Sequence, residues 1–188
     1  PLEPSQGFYA LAELERRGKL QCSIANNVHN LPGRAGCKKI LNLHGTIYDN
    51  ECPRCGKKYS MEYMRDSRKV PLCQECMVPV RPKVLLFGEQ VDNQVMTEAV
   101  GEISRAEVLL LLGTSINSGL CDGYVQYFHG KTMIIIHAQK HFTDEKADVV
   151  LHEEVKSALP RIVWPEGRDG GSAESENAEN AENAENAD

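Results

Sequence analysis

Residues 52–76 read CPRCGKKYSMEYMRDSRKVPLCQEC. The stretch contains two Cys-x2-Cys pairs, Cys52 with Cys55 and Cys73 with Cys76, separated by the 17 residues 56–72. Four thiolates at this spacing are typical of a tetrahedral zinc site that leaves no open coordination position. The pattern therefore predicts a structural Zn²⁺ site, with an iron–sulfur cluster as the chemical alternative.

The region around these cysteines depends on the metal. Residues 48–80 are rich in cysteine, proline, glycine and charge, and they show no long apolar periodicity. Such a segment does not bury enough apolar surface to fold alone, so metal binding supplies its folding free energy. We expect residues 48–82 to form a small zinc-ribbon module inserted in a larger domain.

Outside the module, apolar strands alternate with amphipathic helices. This order predicts an α/β fold, a Rossmann-like parallel sheet with helices on both faces. The strands Val84–Phe87, Val108–Leu112 and Met133–Ile136 are apolar on both sides and are expected to be central. The other predicted elements are helices at Ser5–Arg17 (capped by Ser5), Asp92–Arg105, 120–129 and Glu153–Leu159, and strands at Leu20–Ala25, Lys39–Leu43 and Val149–Leu151.

The charge of the chain divides at residue 170. The chain has 188 residues and a net charge of −6, but residues 170–188 hold six acids and no bases, which leaves 21 acids against 21 bases elsewhere. We expect residues 1–165 to form the α/β domain and residues 166–188 a disordered acidic tail, because that segment contains no large apolar residue after position 170. A near-neutral folded part gives no electrostatic reason for nucleic-acid binding.

Two further features restrict the setting of the protein. No run approaches the 18 apolar residues of a membrane helix, and we see no signal peptide. Seven cysteines without a secretory leader argue against a disulfide framework and favour a cytoplasmic location. Zinc ribbons often contact nucleic acid, and the module carries basic residues, but interspersed acids dilute their charge and argue against that role. The bases are Lys57, Lys58, Arg65, Arg68 and Lys69, and the acids are Glu51, Glu62, Asp66 and Glu75.

Four more segments occur in a fixed order around the cysteine module. They are Ile24–Leu31 (IANNVHNL), Asn42–Gly45 (NLHG), Arg81–Glu89 (RPKVLLFGE) and Leu112–Ser115 (LGTS). In this order and spacing, over about residues 4–160, the chain resembles the sirtuins, the NAD-dependent protein-lysine deacylases. Each motif alone is weak, and it is their combination that carries the resemblance.

The resemblance implies a reaction and a set of cofactor contacts. Sirtuins release nicotinamide from NAD and move the acyl group of an acyl-lysine to ADP-ribose. His44 matches the catalytic histidine of the family, a general base towards a ribose hydroxyl. The implied NAD contacts are Asn26, Asn27, His29, Gly113, Thr114, Ser115 and His137.

The resemblance also implies a binding site for an acyl-lysine protein. In the family the segment that matches Phe87, Gly88 and Glu89 pairs with the substrate peptide as an added strand. Val84 and the Phe87 region would line the acyl-lysine tunnel. From the residues alone, Phe87 is as readily a core residue, and Gly113–Ser115 an ordinary turn between a strand and a helix.

The sequence departs from the family at several positions. His29 and Asn30 stand where sirtuins usually have Asp-Gly, and His137 where they often have asparagine. Sirtuins also carry an upstream glycine-rich turn for the NAD phosphates, and residues 1–20 do not supply one. We therefore expect this chain to be the C-terminal majority of a longer protein.

Two alternatives to a deacylase stay open. One is a non-catalytic, zinc-stabilised module that binds a peptide or a protein. The other is an ADP-ribosyl transferase or NAD hydrolase. The sequence determines neither the protein substrate, nor the acyl-chain preference, nor the oligomeric state.

Overall fold

The computed structural model describes residues 2–116, 118 and 121–165. The helices are α1 (Gln6–Arg16), α2 (Leu31–Arg34), α3 (Met61–Asp66), α4 (Asn93–Arg105), α5 (Cys121–Val125) and α6 (Val155–Val163), with a 3-10 helix at Phe142–Lys146. The strands are β1 (Ser23–Ala25), β2 (Ile40–Asn42), β3 (Gly45–Glu51), β4 (Lys58–Tyr59), β5 (Arg81–Val84), β6 (Val108–Leu112), β7 (Thr132–Ile136) and β8 (Val149–Leu151). The predicted tail, residues 166–188, lies outside the described residues.

Within the described ranges the strands form three sheets. Strands β6, β7 and β8 form a parallel sheet in that order, and β1 pairs with β2 in parallel. The antiparallel sheet has the order β4–β3–β5 and holds the cysteine module. The Rossmann-like α/β fold with an inserted four-cysteine module is confirmed.

The parallel sheet is covered on both faces, as predicted. Ile134 and Ile136 pack with the apolar sides of α1 and α6. Their neighbour Ile135 points to the opposite face and packs with Leu111 and Ile116. Successive side chains of a strand alternate between faces, so an all-apolar strand such as β7 fits the middle of a sheet with two covers.

The helices begin close to where the sequence placed them. Asp92 caps α4, since its Oδ1 accepts hydrogen bonds from the amides of Gln94 at 2.8 Å and Val95 at 3.2 Å. Ser5 precedes α1 as expected, but its side chain makes no capping hydrogen bond, so that detail of the prediction is wrong. Helix α1 is held instead by its packing on α6, and the Arg17 guanidinium donates to the Val163 carbonyl at 3.0 Å.

Three strand predictions need correction. The segment predicted as a central strand at Val84–Phe87 is an antiparallel strand that ends at Val84, and Phe87 lies in a turn. Among the described strands, β6 lies at an edge of its sheet and is not central, and its first residue, Val108, is 52% exposed. The strand expected from Leu20 is confined to Ser23–Ala25, because the amides of residues 18–20 bond to carbonyls at the end of α1.

The helix expected at 120–129 is shorter than predicted. It spans Cys121–Val125 in the structure, and residue 120 lies outside the described part. None of the helices in the described ranges is long and apolar enough to cross a membrane.

Candidate active site and metal centre

The four cysteines of the module converge on one point. The sulfurs of Cys52, Cys55, Cys73 and Cys76 all lie within 4.8 Å of one another. Sγ of Cys55 is 3.7 Å from Sγ of Cys73. Zinc–sulfur bonds of about 2.3 Å in a tetrahedron place the sulfurs about 3.8 Å apart, so the cluster fits a structural zinc ion.

Without a metal, two of the thiols have pKa values shifted in opposite directions. The Tyr59 hydroxyl donates to Sγ of Cys73 at 3.1 Å and is the main reason that the pKa of Cys73 falls to about 6. The hydrogen bond with Cys55, followed by burial, raises the pKa of Cys76 to about 12. Four neighbouring thiols do not all ionise without a compensating charge, and a divalent cation supplies it.

The two cysteine pairs share one backbone design. Each first cysteine accepts an amide hydrogen bond at 3.4 Å on its sulfur, from Arg54 in one pair and from Cys76 in the other. The residue after each pair has a positive φ, +73° at Gly56 and +57° at Met77. Amides directed at the sulfurs stabilise thiolates, as a metal centre requires.

His44 lies at the carboxyl end of the β1–β2 pair, between β2 and β3. Its Nδ1 is 2.9 Å from the backbone carbonyl oxygen of Asn26, which directly follows β1. A carbonyl oxygen only accepts, so Nδ1 carries a proton, and in the neutral imidazole the lone pair is then on Nε2. This tautomer is the one a general base needs.

The backbone on either side of His44 is fixed. Its carbonyl accepts a hydrogen bond from the Leu85 amide at 2.9 Å. At the next residue, Gly45 has φ +68°, and a Cβ there would come within 1.8 Å of the Lys83 carbonyl oxygen. Only glycine permits this close approach of β3 to β5, so the Leu-His-Gly motif sets where the imidazole is held.

An open cleft of about 350 Å³ lies beside His44. Val84 and Glu89, two of the residues expected to contact substrate, line it with His44. The structure therefore brings together the candidate base and part of the expected substrate segment.

The rest of that segment leaves the strand and faces outward. Phe87 is fully exposed and is not a core residue, and Gly88 follows it with φ +87°. Glu89 accepts a hydrogen bond from the Leu86 amide at 2.9 Å and pairs with Arg81. Arg81 is the larger cause, and the Leu86 amide the second, of the lowered pKa of Glu89.

The expected NAD contacts lie at the carboxyl ends of parallel strands. Gly113, Thr114 and Ser115 follow β6, and His137 follows β7. The Gly113 amide donates to the Ile136 carbonyl at 2.9 Å, which joins the turn after β6 to the last residue of β7. In open α/β sheets this edge is where ligands bind.

The loop after β1 holds the remaining three expected contacts. Asn27 uses its side-chain oxygen within the loop, accepting from the His29 amide at 3.1 Å. Asn26 is exposed, and it contacts His44 through its backbone carbonyl. The type of its side chain could not have indicated this contact. Among the described residues, no hydrogen bond joins this loop to the turn at Gly113.

The structure also assembles a cluster that the sequence did not indicate. His137 lies next to Asp144 and His152, each from a different segment. Sequence reasoning selected His137 alone, since the other two residues occur in a polar stretch without a recognisable ligand spacing.

Fold and site together define a Rossmann-like α/β protein with a four-cysteine zinc module beside a histidine-containing cleft. The sequence profile of the Sir2 family matches residues 1–118. The chain belongs to the Sir2 family, the sirtuins.

Relatives and solved structures agree with this assignment. An NAD-dependent protein deacetylase of Clostridium acetobutylicum is 32% identical over 162 residues, covering 86% of this chain and 66% of the relative. One of Clostridium perfringens is 33% identical with the same coverage. The chain thus spans just under two thirds of the length of these relatives.

The fold similarity is equally broad. A chain described as "Structural Basis for the Mechanism and Regulation of Sir2 Enzymes" is 30% identical with a TM-score of 0.79, covering 86% of this chain and 70% of the other. A second, described as "Sir2-p53 peptide-NAD+", is 29% identical with a TM-score of 0.76 and coverages of 89% and 72%.

Proposed function

We propose that this chain is the greater part of the catalytic domain of an NAD-dependent protein-lysine deacetylase or deacylase. It would convert acyl-lysine and NAD to lysine, nicotinamide and O-acyl-ADP-ribose. The observation that carries the proposal is the position of His44, with Nδ1 held by the Asn26 carbonyl beside the cleft that Val84 and Glu89 line. Family membership and the names of the relatives support the same reaction.

The proposed role of His44 follows from its tautomer. With the proton fixed on Nδ1, Nε2 is free to accept a proton from a ribose hydroxyl. The hydrogen bond to Asn26 also disperses the positive charge that the imidazole then gains. In this proposal His44 is the catalytic base.

The substrate peptide is proposed to bind at the β5 edge and the turn that follows it. Among the described strands, β5 pairs with β3 on one side and with no strand on the other. An open edge accepts an extended peptide through backbone hydrogen bonds. The exposed Phe87, with Gly88 and Glu89, extends this surface, and Val84 would contact the acyl-lysine chain.

The NAD contacts are proposed at the carboxyl edge of the parallel strands. They comprise Asn26, Asn27, His29, Gly113, Thr114, Ser115 and His137. The position of each after a parallel strand supports the proposal. The four cysteines are proposed to hold zinc with a structural role, since they leave no coordination position for substrate.

The test measures nicotinamide release from NAD in the presence of an acetyl-lysine peptide. It is done with this chain and with the longest natural protein that contains its sequence. His44→Ala is expected to lower the rate about 10²–10⁴-fold, the usual contribution of a general base. His129→Ala, which removes an exposed histidine of another segment, is the matched control and should leave the rate unchanged.

Product analysis separates the alternatives. Deacylated peptide and O-acyl-ADP-ribose in equal amounts support the deacylase. Nicotinamide release that leaves the peptide acylated would indicate an NAD hydrolase or an ADP-ribosyl transferase instead. Peptide binding without turnover in either protein, unaffected by His44→Ala, would indicate a binding module.

A further inference from the structure

A second group of metal-ligand side chains lies well apart in sequence from the cysteine module. His137 follows β7, His152 follows β8, and Asp144 lies in the 3-10 helix between them. Their ligand atoms all lie within 4.8 Å of one another. Parallel pairing of β7 with β8 is what brings the two histidines to the same edge of the sheet.

The carboxylate lies between the two imidazoles. Oδ1 of Asp144 is 3.0 Å from Nε2 of His137, and Oδ2 is 2.9 Å from Nε2 of His152. Ligands of a tetrahedral zinc ion with bonds of about 2.0–2.1 Å lie about 3.3 Å apart. An opening of a few tenths of an ångström would therefore admit an ion.

Two buried polar atoms of the cluster have no hydrogen-bond partner in the described structure. His137 and Asp144 are each only 7% exposed. His137 Nε2 and Asp144 Oδ1 approach each other without hydrogen-bond geometry, and no hydrogen-bond partner is described for either atom. Buried polar atoms are seldom left unpaired, and two of them only 3.0 Å apart indicate a missing ligand.

The cluster is also prepared for a cation. The His141 amide donates to Asp144 Oδ2 at 2.9 Å and orients the carboxylate from behind. The side chain of His152 is 32% exposed, which gives an ion a route from solvent.

We propose that His137, Asp144 and His152 form a second metal site, for a divalent transition-metal ion of the zinc class. Two imidazoles and one carboxylate are ligands suited to Zn²⁺, Co²⁺ or Ni²⁺, and they leave a coordination position for water. The site differs from the cysteine centre in ligands, place and openness. His137 is also one of the proposed NAD contacts, but metal binding at this site is measured without the deacetylase reaction.

The test counts metal ions on the folded chain. Zinc or cobalt is added to the full chain, and bound metal is counted by native mass spectrometry. Two equivalents are expected. With cobalt, only the cysteine equivalent should give thiolate-to-metal charge-transfer absorption, because the second set of ligands contains no sulfur.

Variants locate the second equivalent. Asp144→Asn and His152→Gln should each weaken it at least about tenfold while the thiolate-bound equivalent remains. His129→Ala again serves as the control and should keep both. Retention of the thiolate band and of the circular dichroism spectrum shows that each variant is folded.

Two results would overturn the proposal. One is a wild-type chain that binds a single equivalent while histidine-selective NMR shows no change at His137 and His152 in excess zinc. The other is a second equivalent that both variants retain unchanged, which would place it elsewhere. In either case the cluster is a hydrogen-bonded group only.

Discussion

At the scale of single residues, the identity of the residue after His44 matters as much as the histidine itself. At Gly45, β3 passes so close to β5 that a Cβ would meet the Lys83 carbonyl oxygen, and the backbone has φ +68°. The imidazole can be positioned only if this crossing is intact, because the Leu85 amide binds the His44 carbonyl there. Two independent penalties, a steric one and a conformational one, therefore act on any side chain at position 45.

Gly45→Ala tests this point. A left-handed conformation costs a non-glycine residue roughly 1–2 kcal/mol, and the Cβ would also meet the Lys83 carbonyl oxygen at 1.8 Å. We expect the free energy of unfolding to fall by more than about 2 kcal/mol and binding of an acetyl-lysine peptide to weaken. Chemical denaturation and peptide titration measure the two effects.

Gly56→Ala is the matched control. Gly56 has φ +73°, but a Cβ there would meet nothing within 4 Å. It should lose only the conformational part, about 1–2 kcal/mol, and keep peptide binding. Equal losses in the two variants would show that the contact with Lys83 has no energetic weight.

The residue scale also shows what a sequence can indicate about a site. His44 was predicted because an imidazole next to glycine matches a family motif. The Asn26 carbonyl, which sets the tautomer of His44, could not be predicted, since every residue carries a carbonyl and only the β1–β2 pairing directs this one. His137, Asp144 and His152 likewise meet only through the fold.

At the scale of elements, prediction succeeded where burial dictates the sequence. Strand β7 is apolar along its whole length because both of its faces are covered, and it was predicted to within one residue. Strand β3 was not predicted, because it is only partly buried and carries no apolar alternation. Its strand conformation follows from pairing with β5.

The strand predicted at Val84–Phe87 shows how composition can mislead. Its apolar residues resemble a buried strand, but Glu89 captures the Leu86 amide and Gly88 turns the chain. Leu86 and Phe87 are then exposed, which in the proposed function is a surface for substrate. An apolar stretch of sequence indicates that its side chains favour apolar contacts. It does not show whether those contacts come from the core of the same protein or from a bound partner.

The contact of α1 with α6 carries a prediction on pH dependence. Glu13 accepts hydrogen bonds from Arg16 and Arg17, each at 2.6 Å, and Arg17 also reaches the Val163 carbonyl. The hydrogen bonds of Arg16 and then Arg17 lower the pKa of Glu13 from 4.5 to about 2. Because the pKa is lower in the folded state, this stabilisation is present above pH 4.5 and is lost as pH falls towards about 2.

Glu13→Gln should therefore destabilise the protein at neutral pH by a small amount that shrinks as pH falls. Solvent and salt screen these exposed charges, so added salt should shrink the difference as well. Chemical denaturation over a pH series measures it. Glu98→Gln is the control, because Glu98 is an exposed glutamate of α4, away from Glu13. The same pH profile for both variants would contradict the assignment.

At the scale of the whole molecule, β3 connects the metal centre to the candidate active site. Gly45 at one end follows His44, and Glu51 at the other precedes Cys52. The two ends of β3 pair with Val84 and Arg81, which lie three residues or about 10 Å apart along β5, because β3 bulges between Thr46 and Asn50. The core of α1, α6 and β6–β8 lies elsewhere and has its own apolar contacts.

Removal of the metal should therefore affect the candidate active site through β3, and should leave the core of α1, α6 and β6–β8 unchanged. Cys73→Ser, or chelation of the zinc, is expected to release residues 52–80 and to loosen the pairing of β3 with β5, because metal binding supplies the folding free energy of the module. Hydrogen exchange should quicken at the Ile47 and Leu85 amides, which donate to Val28 and His44, while amides of β7 keep their protection. Peptide binding should weaken in parallel, although no cysteine lines the cleft.

Cys121→Ser is the matched control, since Cys121 lies in α5 outside the cluster and its substitution should leave the exchange pattern of β3 and β5 unchanged. If metal loss also speeds exchange in β7 and α1, the zinc module and the core of α1, α6 and β6–β8 unfold as one cooperative unit. Unchanged exchange at Ile47 and Leu85 after metal loss would show that pairing of β3 with β5 alone holds His44 in position. The zinc module would then support only itself, and its connection to the active site through β3 would have no energetic consequence.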